Sequence, residues 1–208
     1  MIARRWAVLG LFLAIASQRC FGQPVPQVAA DVSRLLVSAP VIRGEFEQRK
    51  KIKGFKNPLV SRGDFLVARE RGVIWHTREP FESWLVVTPE RIQLRQNSGP
   101  VEGKLAASGE PMLREVNEVM LALMAANLPA LSTRFRITGG LRSSEGWRLI
   151  LEPRDPTIAQ WMERVELEGA AYVRIVNLIE AQGDSTLIRF SNHSVSASLT
   201  DGEAARLD

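Results

Sequence analysis

The chain has 208 residues, with 27 Lys plus Arg and 23 Asp plus Glu, a length that suits one domain with a short extension. Residues 1–22 contain three arginines and no acid, so the rest of the chain has 24 basic against 23 acidic side chains. A charge near +1 gives no electrostatic case for a nucleic-acid-binding protein.

The N-terminal residues 1–22 have the order of a secretory signal. Arg4 and Arg5 precede an apolar run from Trp6 to Ala16, and a small residue, Gly22, follows a short polar stretch. The run is too short to span a bilayer comfortably, although an N-terminal membrane anchor is the alternative. We predict cleavage near Gly22, which leaves residues 23–208 as a single exported domain.

Cys20 is the chain's one cysteine and raises the alternative of a lipid-bearing N-terminus. Gln18 and Arg19 occupy positions where such processing normally requires small or aliphatic residues, so we predict that Cys20 is not lipidated. Cleavage after Gly22 then leaves no cysteine, which excludes disulfides and thiol catalysis.

The first elements are one helix followed by strands. Val28, Val32, Leu35 and Leu36 share one helical face, and the helix is predicted to end before Pro40. From Val41 onward the apolar period becomes two, typical of an antiparallel meander. Strand patterns occur at Phe46–Gln48, Phe65–Arg69, Val73–Thr77, Trp84–Thr88 and Ile92–Leu94.

A basic cluster, Arg49 to Lys53, falls at the end of the first strand pattern. It is either a solvated strand end or a patch for an acidic partner or an anionic membrane surface.

A second helix is predicted in the middle of the chain, beginning at Pro111 and ended by Asn127 and Pro129. Its apolar face consists of Met112, Val116, Val119, Met120 and Leu123. This face either packs in the core or, because methionine adapts to differently shaped partners, acts as a movable plug.

Strand patterns then resume to the end of the domain. They occur at Arg134–Ile137, Trp147–Leu151, Val165–Leu167, Tyr172–Ile179 and Leu187–Phe190, with a helical turn at Thr157–Met162. The total of about nine to eleven strands predicts a mainly β (α+β) fold, either a large curved antiparallel sheet or an open, incomplete antiparallel barrel, whose helices cover or plug an apolar cavity. The polar tail, residues 194–208, is predicted to be loosely held.

Sequence motifs for catalysis are missing from the chain. Its two histidines, His76 and His193, form no His-x-x-x-His pair, and no Gly-x-Ser-x-Gly or phosphate-binding glycine loop occurs. His76 is predicted to be exposed, and Asp64 and Glu82 could meet in space as a carboxylate pair. We predict no enzyme activity, no catalytic residue, no metal and no cofactor; a hydrolase or transferase is the competing class.

Several short patterns follow one another in a fixed order. Phe46-x-Gln48 precedes Gly63-Asp64-Phe65, Arg69, Gly72-x-x-Trp75 and Pro80; the mid-chain helix, Trp147-x-Leu-x-Leu-x-Pro153 and Gly183-Asp184-Ser185-Thr186 with Phe190 come later. Over roughly residues 28 to 192 this order resembles the LolA family of periplasmic lipoprotein carriers.

The resemblance implies an incomplete barrel that carries the acyl chains of a lipidated client from the inner to the outer membrane of a Gram-negative bacterium. It also implies that an arginine after the Gly-Asp pair, here Arg69, holds the empty cavity closed by bonding to the lid helices. Phe65 and Val67 share the strand parity of Arg69, so all three are predicted to face the interior. The alternative for Arg69 is a surface arginine near a turn.

One position departs from the family pattern, because the best-known carriers have proline directly after the arginine and this chain has Glu70. The sequence is more similar to a divergent LolA-like branch, some of whose members accompany genes for aryl-polyene pigments or glycolipids. The client is thus a lipoprotein or another lipid, and a module that senses lipids or lipoproteins is the third class.

Together these inferences predict a periplasmic, monomeric lipid carrier that meets an inner-membrane donor complex and an outer-membrane acceptor. Trp75 and Trp84 either line the cavity or belong to the core. The predicted lipid-binding residues are Phe65, Val67, Arg69, Trp75, Trp84, Met112, Val116, Val119, Met120 and Leu123.

Overall fold

The computed structural model describes residues 27–96, 104–106, 121–123, 125–142 and 146–208, so the predicted signal at 1–22 lies outside the described residues. The strands are β1 Val41–Lys51, β2 Leu59–Ala68, β3 Gly72–Glu79, β4 Ser83–Val87, β5 Arg91–Gln96, β6 Lys104–Ala106, β7 Phe135–Leu141, β8 Trp147–Pro153, β9 Met162–Gly169, β10 Val173–Glu180 and β11 Ser185–Ser196. The helices are α1 Gln27–Leu35, α2 Leu128–Arg134, α3 Pro156–Ala159 and α4 Asp201–Leu207, and residues 121–123 are also helical.

All eleven strands of the described residues belong to one antiparallel sheet in the order β6-β5-β4-β3-β2-β1-β11-β10-β9-β8-β7. The first and last strands of the chain's meander, β1 and β11, meet in the middle, over ten paired positions. Within these residues the sheet stays open, with β6 and β7 at its ends. The prediction of an incomplete antiparallel barrel is confirmed.

One half of the sheet is closed by helices. In this closed core, α1 and α2 pack their buried faces on β7, β8 and β9, as the predicted amphipathic pattern of α1 requires. The strand register places the core side chains of β7, β8 and β9 on the same face of the sheet as Phe46 and Phe65. We call this face the inner face. The closed core consists of Ala29, Val32, Leu128, Leu131, Phe135, Ile137, Trp147, Leu149, Leu151, Ile158, Met162, Val165 and Leu167.

The other half of the sheet, β1 to β4, is apolar on both faces. Phe65, Val67, Val73 and Val87 form an inner-face cluster. The alternating positions Val41, Leu66, Ala68, Ile74 and Val86 form an outer-face cluster with Leu207 of α4. Because α4 covers the outer face, the outer-face side chains are buried against α4. The inner-face side chains are thus left to pack against other partners.

The C-terminal segment is firmly attached, contrary to the prediction of a loose tail after Ser194. β11 continues to Ser196, and α4 begins with a capping box in which Thr200 and Glu203 satisfy each other's backbone N–H groups. Arg43 of β1 donates to both carboxylate oxygens of Glu203, at 2.7 and 2.6 Å. This bidentate pair and the burial of Leu207 hold α4 against the sheet.

In the part of the chain that the structure describes, every helix is too short or too polar to cross a bilayer.

Candidate functional site: an apolar cavity on the inner face

A cavity of about 880 Å³ lies between the inner-face cluster and residues 121–122 and 125–130. Its floor includes Ile42, Phe65, Val67, Val73 and Phe190, and most of its other lining side chains are apolar too. The described lining residues are Ser33, Leu36, Val37, Ser38, Ala39, Ile42, Phe65, Val67, Ala68, Arg69, Glu70, Gly72, Val73, Pro89, Leu121, Ala122, Ala125, Ala126, Asn127, Pro129, Ala130, Ala171, Tyr172, Val173, Phe190 and His193.

Three chain connections surround one end of the cavity. They join α1 to β1, β2 to β3 and β9 to β10, and the cavity is lined at this end by residues 36–39, 69, 70, 72 and 171–173. Because β1, β3 and β10 run in the same direction, all three connections lie at one end of the sheet. We call this end the rim.

Aromatic rings build the floor beside the cavity. Phe46 and Trp75 stack with their ring centroids 3.8 Å apart, and Phe190 packs edge-on against Phe65 at 5.0 Å and against Trp75 at 6.0 Å. Edge-on and offset contacts of this kind are favourable beyond the area that they bury. The floor is therefore preformed by side chains from β1, β2, β3 and β11.

A glycine makes room for the ring at the centre of this floor. Gly44 of β1 pairs with Phe65 of β2, and a Cβ at position 44 would lie 2.6 Å from a carbon of the Phe65 ring and 2.8 Å from the Ser191 carbonyl oxygen. Any side chain at this position would collide with the ring or the backbone. Gly44 thus leaves free the space that the Phe65 ring occupies.

A bulge in β11 turns His193 toward the cavity. Opposite Gly44 the pairing with β1 shifts, and Asn192 adopts a left-handed backbone with φ 52°. The His193 ring then stacks on Tyr172, with centroids 4.6 Å apart, and contacts Phe65 edge-on. Burial lowers the pKa of His193 below its ordinary value, and the positive charge of Arg174 adds to this effect, while a backbone hydrogen bond at Val173 opposes it.

Arg69 lies at the rim and not among the buried side chains of β2. The strand ends at Ala68, and Arg69 is an exposed turn residue whose Nη2 donates to Ser38 Oγ at 2.5 Å. Its backbone N–H also donates to the Pro40 carbonyl at 2.8 Å. The inference from strand parity that Arg69 faces the interior is corrected here, because the chain has already turned; its bond is to the connection after α1.

Glu70 has a backbone conformation that proline cannot adopt. The Arg71 N–H donates to the Ala68 carbonyl across the β2–β3 turn, and Glu70 within it has φ 63°. A proline ring fixes φ near about −65°. A proline at position 70 would therefore not fit this turn.

The helical turn at 121–123 contacts both halves of the inner face. Leu121 packs against the inner-face cluster and lines the cavity, whereas Leu123 packs against the closed core. Four other predicted lipid-binding residues, Met112, Val116, Val119 and Met120, lie outside the described residues.

The predicted site residues on the strands divide between the two faces. Phe65 and Val67 line the cavity, and Trp75 joins their cluster on the inner face. Trp84 lies on the outer face, where it packs against the outer-face cluster and the Arg206 guanidinium lies 4.1 Å above its ring. We therefore leave Trp84 out of the candidate lipid site.

His76 is also on the outer face, and the prediction that it is exposed needs correction. Its ring stacks on Trp84 at 3.5 Å, and its two nitrogens lie 3.5 Å from Asp64 and 3.0 Å from Glu82. The two carboxylates considered as a catalytic pair thus flank a half-buried histidine. In the described part of the chain, His, Cys, Asp and Glu side chains form no group of three or more suited to a metal ion.

Several cavity residues were not predicted. Ile42 lies at the start of β1. Tyr172 lies in a turn and His193 in a bulge, and alternation does not predict which face of the sheet such residues occupy. Leu121 is two residues from Leu123 and therefore belongs to another face of a helix. The aromatic Phe190 had a detectable signal, since it ends a predicted strand.

A search of curated proteins found no match to the sequence. Solved structures similar to the chain include a LolA superfamily protein from Nitrosomonas europaea (9% identity, TM-score 0.45, 87% of this chain and 97% of that one) and a putative outer membrane lipoprotein-sorting protein domain from Vibrio parahaemolyticus (9%, 0.47, 86% and 96%). The complex of MucA and MucB from Pseudomonas aeruginosa is also similar (15%, 0.47), over 86% of this chain but 60% of that one.

The family assignment depends on a family model, which matches residues 38–203 and is described as outer membrane lipoprotein carrier protein LolA. This match includes every strand of the sheet, from β1 to β11, and the start of α4. The chain therefore belongs to the LolA family.

Proposed function

We propose that this protein is a periplasmic carrier that binds the acyl chains of a lipidated protein or another lipid in the inner-face cavity and moves them from the inner to the outer membrane. The observation that supports the proposal most is the cavity of about 880 Å³ with its apolar and aromatic floor. Membership of the LolA family favours the same function.

The chemistry of the floor suits an acyl chain. Phe65, Val67 and Val73 offer apolar surface without hydrogen-bonding groups, so a hydrocarbon chain would displace water at little cost to polar partners. Arg69, Ser38 and Asn127 place polar groups among the lining residues. A client would accordingly insert its chains over the floor and leave its head group near the polar rim.

Opening would require the walls of the cavity to separate. The Arg69–Ser38 hydrogen bond joins the β2–β3 turn to the connection after α1, and the Val37 N–H donates to the Ala171 carbonyl at 2.8 Å across the same rim. Both bonds can be exchanged for water at low cost because the residues that they join, Arg69 with Ser38 and Val37 with Ala171, are exposed. We propose that lipid entry breaks the Arg69 bond, which couples binding to opening.

The lipid-binding set that we propose consists of inner-face and rim residues. Phe65 and Val67 line the floor, Trp75 packs against their cluster and Arg69 makes the closing contact. Met112, Val116, Val119, Met120 and Leu123 remain predictions for the mid-chain helix. The client is a lipoprotein or a lipid of another type. Monomeric action between an inner-membrane donor complex and an outer-membrane acceptor belongs to the same proposal.

The direct test is to purify the protein gently from periplasm and to identify bound lipid by mass spectrometry after solvent extraction. Ala125, which lines the cavity, provides a blocking variant, Ala125→Trp. Ala181 is exposed in the β10–β11 turn at the other end of the sheet, so Ala181→Trp is the matched control. We expect lipid with the wild type and with Ala181→Trp, and several-fold less with Ala125→Trp.

A wild-type protein that carries no hydrophobic molecule, from periplasm or after incubation with lipid vesicles, would contradict the proposal. Equal lipid content in the two tryptophan variants would show that lipid binds somewhere other than this cavity.

A further inference from the structure

The hairpin between β1 and β2 ends in a tip, residues 51–59, that the cavity does not use. From Gln48 to Gly63 the chain has six basic residues and no acid. At the tip, Gly54 has φ 90° and the Phe55 N–H donates to the Ile52 carbonyl at 3.0 Å, so the tip is an ordered turn. Its backbone is also fixed from outside, because Asp184 accepts a hydrogen bond from the Lys53 N–H at 2.9 Å.

Two large apolar side chains at the tip face solvent. Phe55 is 65% exposed and Leu59 is 58% exposed. Single exposed apolar residues are ordinary, but these two belong to one protruding turn and have Lys53 and Lys56 beside them in the sequence. Such a mixture of apolar side chains and flanking lysines matches the boundary between water and a lipid bilayer.

The charges of the hairpin fall into two groups. Toward the sheet, Lys50 pairs with Glu180 at 3.0 Å, and Arg49 and Arg62 pair with Glu47. Toward the tip, the exposed Lys51, Lys53 and Lys56 have no ion pair among the described residues. Their positive charge is therefore available to an anionic surface.

The position of the tip separates it from the rim of the cavity. β1 begins at the rim with Val41 and ends at the tip with Lys51, so its eleven residues place roughly 35 Å between the two ends. A surface bound to the tip would leave the rim free.

We propose that this tip docks the protein on an anionic phospholipid bilayer, with Phe55 and Leu59 inserted at the headgroup level and Lys51, Lys53 and Lys56 against lipid phosphates. A bilayer fits better than an acidic protein because the apolar residues protrude instead of forming a groove, and a planar interface accepts a protruding side chain without a complementary pocket. The docking does not depend on the cavity being a lipid site.

The test is flotation of the purified protein with vesicles of phosphatidylcholine alone or with about one third phosphatidylglycerol. We expect binding to the anionic vesicles only, and weaker binding as ionic strength rises. Lys53→Gln with Lys56→Gln should weaken binding about 30-fold. Phe55→Ser should weaken it about tenfold, whereas Phe55→Trp should retain it.

Two substitutions elsewhere provide matched controls. Leu141 on β7 is 52% exposed, so Leu141→Ser removes an exposed apolar side chain away from the tip, and Arg136→Gln on the same strand removes a positive charge from an exposed site away from the tip. Both should bind like the wild type. Absence of wild-type binding, equal binding to both vesicle types, or tip variants that bind as well as these controls would overturn the proposal.

The tip variants also keep this inference apart from the proposed function. Lys53→Gln with Lys56→Gln should still yield co-purified lipid, because neither residue lines the cavity. Ala125→Trp should still float with anionic vesicles, so that one proposal can fail while the other holds.

Discussion

Gly44 and Phe65 face each other across β1 and β2, and the ring of Phe65 occupies the space in which a side chain at position 44 would lie. The same ring is a floor residue of the cavity and contacts Phe190 and His193. A change at Gly44 should therefore affect both stability and the cavity.

Gly44→Ala should lower the free energy of unfolding by about 1–3 kcal/mol, because the new methyl group would lie 2.6 Å from the Phe65 ring. Urea denaturation measures this change. In a Phe65→Leu background the added methyl group has more room. Gly44→Ala should therefore lower the free energy of unfolding by less in that background than in the wild type. An equal cost in both backgrounds would show that the ring is not what the methyl group meets.

Arg69→Leu removes the donor to Ser38 and should speed the exchange of a bound fluorescent fatty acid by about two- to tenfold, the effect of one exposed hydrogen bond. Ser38→Ala should act in the same direction, and the double variant should add little. Arg71→Leu is the matched control, since Arg71 pairs with Asp208 and does not line the cavity. If Arg69→Leu and Arg71→Leu exchange alike, Arg69 has no gating role.

Glu70→Gly should raise the free energy of unfolding by about 0.5–1 kcal/mol, because glycine adopts φ 63° without the penalty of a side chain. Glu70→Ala separates this effect from loss of the carboxylate and should leave stability nearly unchanged. Glu70→Pro should destabilise by more than about 1 kcal/mol. Thermal denaturation of the three variants gives the order, and a proline variant as stable as the wild type would disprove the turn geometry.

Glu203 predicts an acid-dependent loss of stability. Hydrogen bonds from Arg43, opposed by burial, lower the pKa of Glu203 from 4.5 to about 2. A carboxyl whose folded pKa is lowered stabilises the fold above the unfolded pKa and loses that contribution as the pH falls through the folded value. Glu203→Gln should thus be less stable than the wild type at pH 6, with a difference that shrinks below about pH 4.5. A difference independent of pH would contradict this assignment.

His193 predicts a second pH dependence, at higher pH. Burial lowers the pKa of His193 below 6.5, so protonation favours the unfolded chain and stability should decline as the pH falls below that value. The chain has two histidines, and in a His76→Gln variant the remaining histidine resonance in the NMR spectrum belongs to His193. Titration at or above pH 6.5 would contradict the buried placement of the ring.

The sequence was a good guide to elements with a strong period. Val28, Val32 and Leu35 predicted α1, which runs from Gln27 to Leu35, and alternation predicted the strands of the meander. Two helices were missed although each carries a start signal. Thr200 and Glu203 form the capping box of α4, and Asn127, interpreted as a helix end, caps α2, whose first turn contains Pro129.

The site was harder to predict than the fold, because local irregularities of the strands decide which site residues point into the cavity. Alternation assigned Phe65 and Val67 to one face correctly, but it fails beyond Ala68, where the chain turns and leaves Arg69 exposed. It fails again at Asn192, where the bulge directs His193 inward. A period of two carries no information about either event.

Because β2 is buried on both sides, from Phe65 to Ala68, its hydrophobic pattern does not by itself specify how it aligns with its neighbours. A shift by one position would still bury an apolar side chain on each face. It would, however, place the Phe65 ring opposite Arg43 or Glu45 instead of Gly44. The glycine thereby protects the hairpin against slippage between alternative pairings, a safeguard that hydrophobicity alone cannot provide here.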